Sequence, residues 1–511
     1  MGKGPELLSS QDNGKRTKKT LVLTSVMLAT FMGAIEATIV STAMPEIVGD
    51  LGGFSKYSWV FSAYLLMNAV TVLIYGKLSD LFGRKPILIF GITIFLIGSV
   101  LCGLATSMEM LIVFRLIQGF GAGAVTPIAT TIIGDIYTKE ERAKIQGYLS
   151  SVWGISAVSG PAIGGLLVEY VSWRYVFWIN IPLGFLAIAG IWFYLHEKVE
   201  KKKHKIDYSG AVLLTVAIST VMVLLVEGGV NIGWDSSLGI SLGLVSVVAF
   251  ILFVLNEKRA EEPMMPFSIW KERSILIANL TSLTTGVILI GISSFLPAFV
   301  QAVMEQSPIV AGFTLTAMSI GWPIASTLSG RLLLTIGFRA TSLLGGGALI
   351  LGSILFANLS PEAGPVWAAL GSFIIGIGMG LTSTAFIISI QSTVSWEQRG
   401  TATASNMFMR NFGNTLGAAL LGGVLNSSIK ANLTGQSELA PSEVSLESIN
   451  QLLGETERSQ LSEPMKVLLQ ETLTGALHTV YLVVLVFAIL SMILVVFLPK
   501  KDSEKEETIS S

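Results

Sequence analysis

Two charged residues interrupt long apolar stretches of this sequence, and together they could carry out proton chemistry. Glu36 lies in the stretch that begins at Thr20, and Arg115 lies in the stretch that begins at Met108. Apolar surroundings favour the protonated form of a carboxyl group, whereas a nearby arginine or bound cation favours the ionised form. Such a group can exchange a proton for a cationic solute. A static Glu36–Arg115 ion pair with a structural role is the alternative.

The two residues also have similar predicted depths in a bilayer. On a helix, Glu36 lies about 24 Å from the cytoplasmic start at Thr20, and Arg115 lies about 10 Å inside the outer face at Met108. In a hydrocarbon core roughly 30 Å thick, both positions fall in the outer half. Charged residues at such depths usually line a polar cavity and have a partner. We therefore predict that Glu36 and Arg115 form a proton-coupling pair.

The composition around these residues is that of a helical membrane protein. Of 511 residues, 51% are hydrophobic and only 13% are charged, whereas a soluble domain carries about a quarter charged residues. Apolar stretches recur near the length of roughly 20 residues that crosses a bilayer as a helix. Alternating strands of about ten residues, which a membrane β-barrel needs, are not evident. Because lipid offers no partners to backbone amides, helices remain as the expected elements.

We predict fourteen membrane helices, grouped as six, two and six. The fold class is an all-α polytopic membrane protein with two six-helix bundles and an inserted helix pair. The first nineteen residues are polar and basic, but the apolar run after them is too long for a signal peptide, which predicts an uncleaved first helix. The predicted spans are 20–45, 57–78, 86–106, 108–134, 143–168, 174–196, 209–227, 238–256, 274–301, 308–332, 339–358, 365–391, 399–428 and 476–499.

The distribution of lysine and arginine predicts the orientation. With an even number of helices both termini lie on one side, and most of the 33 basic residues fall on that side. Because basic loops stay inside, both termini are expected to be cytoplasmic. The basic residues expected on the outer side are Lys56, Arg174, Lys430, Arg458 and Lys466.

The predicted domains follow from these spans. A basic cytoplasmic tail at 1–19 precedes the first bundle at 20–196, and a linker at 197–271 carries the inserted pair. The second bundle occupies 272–499 and is followed by a tail at 500–511. Its outer loop at 429–475 is polar and acidic. We interpret this loop as a solvated connector, with an interaction surface as the alternative.

A weak internal repeat relates the two bundles. The loop Gly76–Lys85 aligns with Gly330–Arg339, and Arg142 at the start of helix five corresponds to Arg399 at the start of helix thirteen. Parallel six-helix repeats are a known transporter plan, with the site near the midplane between the halves.

The loop Gly76–Pro86 is a candidate cytoplasmic gate. Asp80 could accept hydrogen bonds from the start of helix thirteen, where Ser395–Gln398 has the pattern of a capping box. Such a bond would hold the cytoplasmic side shut and would break on opening. A plain basic turn is the alternative. The predicted gating residues in this loop and at the start of helix five are Gly76, Asp80, Gly83, Arg84 and Arg142.

Small residues on helix five, Gly160, Gly164 and Gly165, are spaced for close helix packing, and Pro161 bends the helix. On helix thirteen, Thr403, Asn406, Arg410 and Asn414 share one face. Arg410 has no obvious carboxylate partner, and its pairing with substrate, backbone carbonyls or a glutamate stays open.

An apolar, aromatic pocket with few polar groups suits flat lipophilic cations, through burial and cation–π contact. For each aromatic residue, lipid exposure or core packing is the alternative. The predicted substrate-binding residues are Glu36, Trp59, Asn68, Gln118, Trp153, Gln301, Asn406 and Arg410.

Other classes of function are disfavoured. The pattern G-x-x-x-x-G-K-[ST] is missing, which argues against an ATP-driven pump. The one cysteine, Cys102, and three histidines are too few for a metal site, and no nucleophile–base set is evident. We therefore expect no enzyme activity, no cofactor and no nucleic-acid partner.

These motifs together resemble the major facilitator superfamily, and specifically its fourteen-helix drug:proton antiporters, the DHA2 family. Gly76–Pro86 is similar to the superfamily's loop signature, and Arg115-x-x-Gln118-Gly119 to its helix-four motif for proton coupling. Gly154–Gly165 resembles the antiporter motif that seals the halves, which implies a gating role for Gly160, Pro161 and Gly164. Trp173–Gly184, which includes Asn180, resembles the start of helix six. Two departures stand out. In the helix-one motif, Glu36 replaces the usual aspartate. In the loop of the second half, Leu334 stands at the position that corresponds to Asp80, so this loop has no acid there.

The resemblance implies a proton-coupled multidrug exporter of a bacterial cell membrane, working by alternating access. Expected partners are small lipophilic or cationic drugs, protons and the bilayer, and we expect a monomer driven by the proton gradient. A proton symporter that imports a nutrient is the alternative. A sensor or scaffold is a third possibility, but tails of about nineteen and twelve residues leave little room for a signalling domain.

Overall fold

The computed structural model describes residues 18–137, 139–197, 207–228, 231–260, 267–394, 399–435, 446–453 and 455–499. Within these ranges the regular elements are helices, and the β structure consists of one isolated bridge between Gly228 and Ile232. Thirteen spans in the described part are helical, long and apolar enough to cross a membrane. The predicted all-α polytopic fold is confirmed.

The helices follow the predicted order of six, two and six spans. In the first bundle the fourth and sixth spans are each built from two helical segments. The bounds are α1 Lys19–Leu51, α2 Tyr57–Phe82, α3 Arg84–Gly103, α4 Met108–Ala122, α5 Val125–Ile136, α6 Lys139–Tyr170, α7 Tyr175–Trp178 and α8 Asn180–Tyr194. The inserted pair is α9 Tyr208–Glu227 and α10 Ser237–Glu257. The second bundle contains α11 Arg273–Ala298, α12 Pro308–Thr335, α13 Gly337–Ala357, α14 Gly364–Thr393, α15 Arg399–Gly435, α16 Asn450–Leu453, α17 Glu455–Gln460 and α18 Glu463–Val496.

The predicted fourteenth span corresponds to α15, which is a continuous helix of 37 residues. It is long enough to cross a bilayer, but it is not apolar enough to be one of the thirteen spans. Its sequence carries Asn406, Arg410, Asn411 and Asn414, which lower its hydropathy. The count of fourteen is therefore supported by helix length but not by composition.

The predicted outer loop at 429–475 is wrong at both ends. Helix α15 continues to Gly435, and α18 begins at Glu463 rather than at residue 476. Part of the intervening segment packs onto the protein, because Ile449, Leu452 and Leu453 are buried. Leu452 and Leu453 follow Ile449 by three and four positions and give the segment one apolar face, so its described part is not a solvated connector.

The hydrophobic cores of the two bundles are joined near the predicted outer side and separate near the cytoplasmic side. One buried cluster combines residues of both bundles, among them Ile47 of α1 and Phe295 of α11. A second cluster contains first-bundle residues such as Val22, and a third contains second-bundle residues such as Ile275. Val22 and Ile275 lie near the predicted cytoplasmic helix ends, so the described residues at these ends of α1 and α11 belong to separate clusters.

Two hydrogen bonds between the bundles lie near the outer helix ends. Gln301 Nε2 donates to the Thr42 carbonyl at 3.1 Å, and the Tyr57 hydroxyl donates to the Ser294 carbonyl at 2.6 Å. The outer side of the protein is therefore closed by direct contacts.

The inserted pair covers one seam between the bundles. Helix α9 packs against α2 of the first bundle and α15 of the second, and buried residues of all three helices share one cluster. Trp59 Nε1 on α2 donates to Glu227 Oε1 on α9 at 2.8 Å.

The two loops predicted to be repeats share a backbone conformation. Gly83 between α2 and α3 has φ 95°, and Gly337 at the first position of α13 has φ 82°. Glycine is favoured at such positive φ values because it has no Cβ. The matching turns support a duplicated bundle.

Candidate proton-coupling site

Glu36 of α1 and Arg115 of α4 meet inside the first bundle. Arg115 Nη1 donates a hydrogen bond to Glu36 Oε1, and the relative exposures are 1% for Glu36 and 2% for Arg115. Buried charges are tolerated when they are paired and hydrogen-bonded. The predicted contact between these two residues is confirmed, whereas their role in proton coupling stays a prediction.

Further contacts fix the guanidinium of Arg115. Its Nε donates to the Val60 carbonyl at 3.2 Å, and its Nη1 donates to Gln118 Oε1 at 2.6 Å. Its Cζ lies 4.1 Å from the centre of the Tyr64 ring, a cation–π geometry. Gln118 in turn donates from Nε2 to Ser99 Oγ at 2.8 Å. Residues of α2 and of its own helix, α4, therefore hold the arginine, and Ser99 of α3 in turn holds Gln118.

Close packing beside Gln118 depends on two glycines. A Cβ at Gly98 of α3 would lie 2.5 Å from the Gln118 Cα, and a Cβ at Gly119 would lie 2.4 Å from the Tyr64 carbonyl oxygen. Larger side chains at either position would push α3 or α2 away from α4. The glycines therefore set the positions of Gln118 and Tyr64 around Arg115.

Asn180 completes the contacts to the Glu36 carboxylate. Its Nδ2 donates to Glu36 Oε2 at 2.6 Å and to the Phe177 carbonyl at 3.2 Å. The sequence placed Asn180 at the start of helix six but did not predict this contact. The sequence signal that could have indicated it was an amide side chain within an apolar span, at a predicted depth similar to that of Glu36.

Helix α6 packs beside the Glu36 segment and also against the second bundle. A Cβ at Gly160 would lie 2.0 Å from Thr38 Oγ1, two residues from Glu36 on α1. Gly164 packs on Ile39 of α1, and the Pro161 carbonyl faces Gly312 of α12. The predicted close packing by small residues is confirmed, and the sealing role of this helix stays a prediction.

The loop between α2 and α3 is anchored to the end of α8. Glu197 accepts hydrogen bonds from the backbone N–H of Arg84 at 2.9 Å and of Lys85 at 3.0 Å, which caps α3. Arg84 Nε lies 3.1 Å from Asp135 Oδ2. Gly76 has open space where a Cβ would stand, so close helix approach does not require a glycine there in this conformation.

The central part of the predicted gate comprises Asp80, Arg142 and the start of helix thirteen. The side chains of Asp80 and Arg142, and the whole of 395–398, lie outside the described residues. Their proposed contact across the bundles stays a prediction. Leu334, at the position corresponding to Asp80, is 80% exposed.

Three predicted pocket residues have partners elsewhere. Trp59 binds Glu227 of the inserted pair, and Gln301 binds the outer end of α1 through Thr42. Asn406 Nδ2 donates to Ser282 Oγ of α11 at 2.8 Å, within the second bundle. These residues do not gather around Glu36 in this conformation, because each one's helical face is turned to a different neighbour.

The remaining predicted pocket residues are more open. Asn68 is half-buried on α2, one turn beyond Tyr64, and Trp153 of α6 is 44% exposed. Arg410 is half-buried, and within the described part of the chain no hydrogen bond or ion pair links it to another residue.

Sequence comparison assigns the family. Residues 26–418 match the Major Facilitator Superfamily. Multidrug resistance protein 3 of Bacillus subtilis (strain 168) is 36% identical and covers 95% of this chain and 96% of its own. The multidrug transporter protein MdtP of the same organism is 33% identical, over 96% of this chain and 95% of its own. The chain belongs to the major facilitator superfamily and is a multi-pass protein of the cell membrane.

Solved structures agree on the fold. An inward-facing, unoccupied bacterial homologue of the human lysosomal transporter Spinster aligns with a TM-score of 0.66 and 17% identity, covering 94% of this chain and 97% of that one. The nucleoside transporter NupG aligns with a TM-score of 0.63 and 14% identity, covering 94% of this chain and 100% of that one. At these identities the likeness establishes the fold alone.

Proposed function

We propose that this chain is a proton-coupled multidrug exporter, which expels lipophilic and often cationic compounds in exchange for protons. The observation that carries the proposal is the buried Glu36–Arg115 pair, a titratable carboxylate deep in the first bundle of a superfamily transporter. Two relatives that match nearly the whole chain are named as a multidrug resistance protein and a multidrug transporter protein. These names favour export over the import of a nutrient with protons.

The exchange follows from the charge of the site. An ionised Glu36 can balance a cationic compound or be neutralised by a proton, but one carboxylate does not serve both at once. Proton uptake from the outer side would remove the attraction for the compound and promote its release. Proton loss toward the cytoplasm would restore the ionised carboxylate and its contact with Arg115.

Alternating access gives the exchange its direction. To open outward, the protein must break outer contacts such as Gln301 to Thr42 and Tyr57 to Ser294. The cytoplasmic side would then close, with Asp80 and Arg142 as the proposed closing residues. The proton gradient supplies the energy, and we expect a monomer that needs neither a cofactor nor covalent catalysis.

Susceptibility of a pump-deficient bacterial host tests this function. We expect expression of the chain to lower susceptibility to several lipophilic cations, and an uncoupler to abolish the difference in their accumulation. A host that expresses E36Q at the same level is the matched control. Unchanged susceptibility to every compound would contradict export, and export that persists with the uncoupler would contradict proton coupling.

A further inference from the structure

Asn180 occupies a joint between two helical segments. It is the first residue of α8, which follows α7 after Ile179, and it is fully buried. An amide nitrogen has two hydrogens, and here they serve Glu36 Oε2 and the Phe177 carbonyl. The amide therefore ties the carboxylate on α1 to the last turn of α7.

The other atom of the same amide has no such partner. Asn180 Oδ1 is buried and accepts no hydrogen bond within the described structure. An unsatisfied buried acceptor carries a desolvation cost. Its orientation is nevertheless fixed, because both Glu36 and the Phe177 carbonyl require a donor.

Protonation of Glu36 would reverse this preference. With a proton on Oε2, the acid hydroxyl needs an acceptor for its hydrogen, whereas the amide N–H that faces it can only donate. Rotation of the amide by half a turn brings Oδ1 to the acid, which then donates to it. The same rotation withdraws Nδ2 from the Phe177 carbonyl.

The other groups around Glu36 are less suited to receive that hydroxyl. Arg115 has donors only, and Gln118 is held in place by the bond that its Oε1 accepts from Arg115 and the bond that its Nε2 donates to Ser99. The remaining titratable groups that act on this site are the Tyr64 hydroxyl of α2 and the Cys102 thiol of α3. Asn180 combines a direct contact to Oε2 with a free buried acceptor.

We propose that Asn180 is a positioning residue whose side-chain amide turns over when Glu36 takes up a proton. The charge of Glu36 is thereby transmitted to the joint between α7 and α8 through loss of the bond to the Phe177 carbonyl. This inference rests on the proposed role of Glu36 as the proton carrier.

Infrared difference spectra between acidic and alkaline pH test the proposal on protein in lipid vesicles. The full chain is labelled with ¹³C at the asparagine side-chain carbonyl. We expect a protonated carboxyl band that E36Q removes, and an asparagine carbonyl shift that both E36Q and N180L remove. In N180L the carboxyl band should move to higher wavenumber, because the acid loses its acceptor. N358L is the control, since Asn358 donates to the Ile354 carbonyl on α13; it should change neither band.

The outcomes separate the two proposals. A wild-type protein without a Glu36 carboxyl band would contradict proton carriage by Glu36. A carboxyl band at the same wavenumber in wild type and N180L would overturn the role of Asn180 alone. If N180L does not fold, wild type and E36Q suffice, and a wild-type spectrum without the asparagine shift would overturn it.

Discussion

Arg115 Nη1 on α4 donates a hydrogen bond to Glu36 Oε1 on α1, and neither side chain is more than 2% exposed. Each charge was removed from water to form this contact, so each depends on the other. Removing one partner of a buried pair costs about 3–5 kcal/mol, because the remaining charge is left uncompensated. Proton uptake by Glu36 would therefore leave Arg115 as a buried charge without its counter-ion.

Substitution of Arg115 should affect stability and exchange together. In R115L the ionised Glu36 has lost its cation, and we expect the unfolding free energy to fall by about 3 kcal/mol unless Glu36 keeps a proton. A Glu36 that keeps its proton does not release it, so proton exchange should be lost. Thermal unfolding in detergent measures the first effect, and E36Q/R115L should recover most of the stability but not the exchange. R273L, at an exposed position at the start of α11, is the control. Unchanged stability and exchange in R115L would contradict a coupled pair.

The seam between α6 and α12 should depend on Gly312. An alanine Cβ there would lie 2.2 Å from the Pro161 carbonyl oxygen, so G312A should separate the helices and favour outer opening. Distances between spin labels at the exposed outer positions Tyr170 and Val366 measure this in a Cys102→Ser background, and we expect longer distances. G347A is the matched control, because nothing lies within 4 Å of a Cβ there. Equal distances in G312A and wild type would exclude this role.

The segment before α18 should stabilise the closed outer side. Glu447 Oε1 accepts from Ser55 Oγ at 2.6 Å, and Glu447 Oε2 accepts from Asn450 Nδ2 at 2.8 Å. Burial alone would raise the pKa of Glu447, but these bonds and those from the backbone of Phe54 and Gly53 hold the pKa below its usual value of 4.5. A lowered pKa means that the ionised carboxylate stabilises closure above pH 4.5 and loses this effect as the pH falls through the lowered pKa.

E447Q should therefore lengthen the distance between the same spin labels at neutral pH, by an amount that reflects about 1 kcal/mol of lost hydrogen bonding. The difference from wild type should disappear on strong acidification. E463Q, at an exposed acid of α18, should have no effect. A difference between E447Q and wild type that persists at the acidic end would contradict the assigned group.

Trp59 should act in docking the inserted pair rather than in recognising drugs. Loss of its bond to Glu227 in W59F should lower the unfolding free energy by about 1 kcal/mol and leave the substrate range unchanged. Thermal unfolding and a drug panel measure the two effects. W234F, which alters a tryptophan that is 54% exposed, is the comparison. A changed drug profile without a change in stability would contradict the docking role and would indicate that Trp59 contacts the drugs.

The sequence was sufficient to predict the helical fold and the Glu36–Arg115 contact. Both predictions depend on distance along a helix, which residue spacing gives directly. Which neighbour each helical face meets depends on packing across the bundles, and the partners of Trp59, Gln301 and Asn180 were therefore not predicted. The prediction of a solvated connector at 429–475 was wrong because it was based on the acidic composition of the segment. It did not take account of the apolar face formed by Ile449, Leu452 and Leu453.

Proton movement driven by substrate in vesicles containing the purified protein tests the central claim most directly. A pH-sensitive dye inside the vesicles reports protons when a lipophilic cation is added. We predict that wild type couples the two fluxes, that E36D retains coupling because the acid is kept, and that E36Q loses coupling and binds the cation more weakly because its side chain is neutral. Coupled flux at the wild-type rate in E36Q would contradict the account, because another residue would then carry the proton.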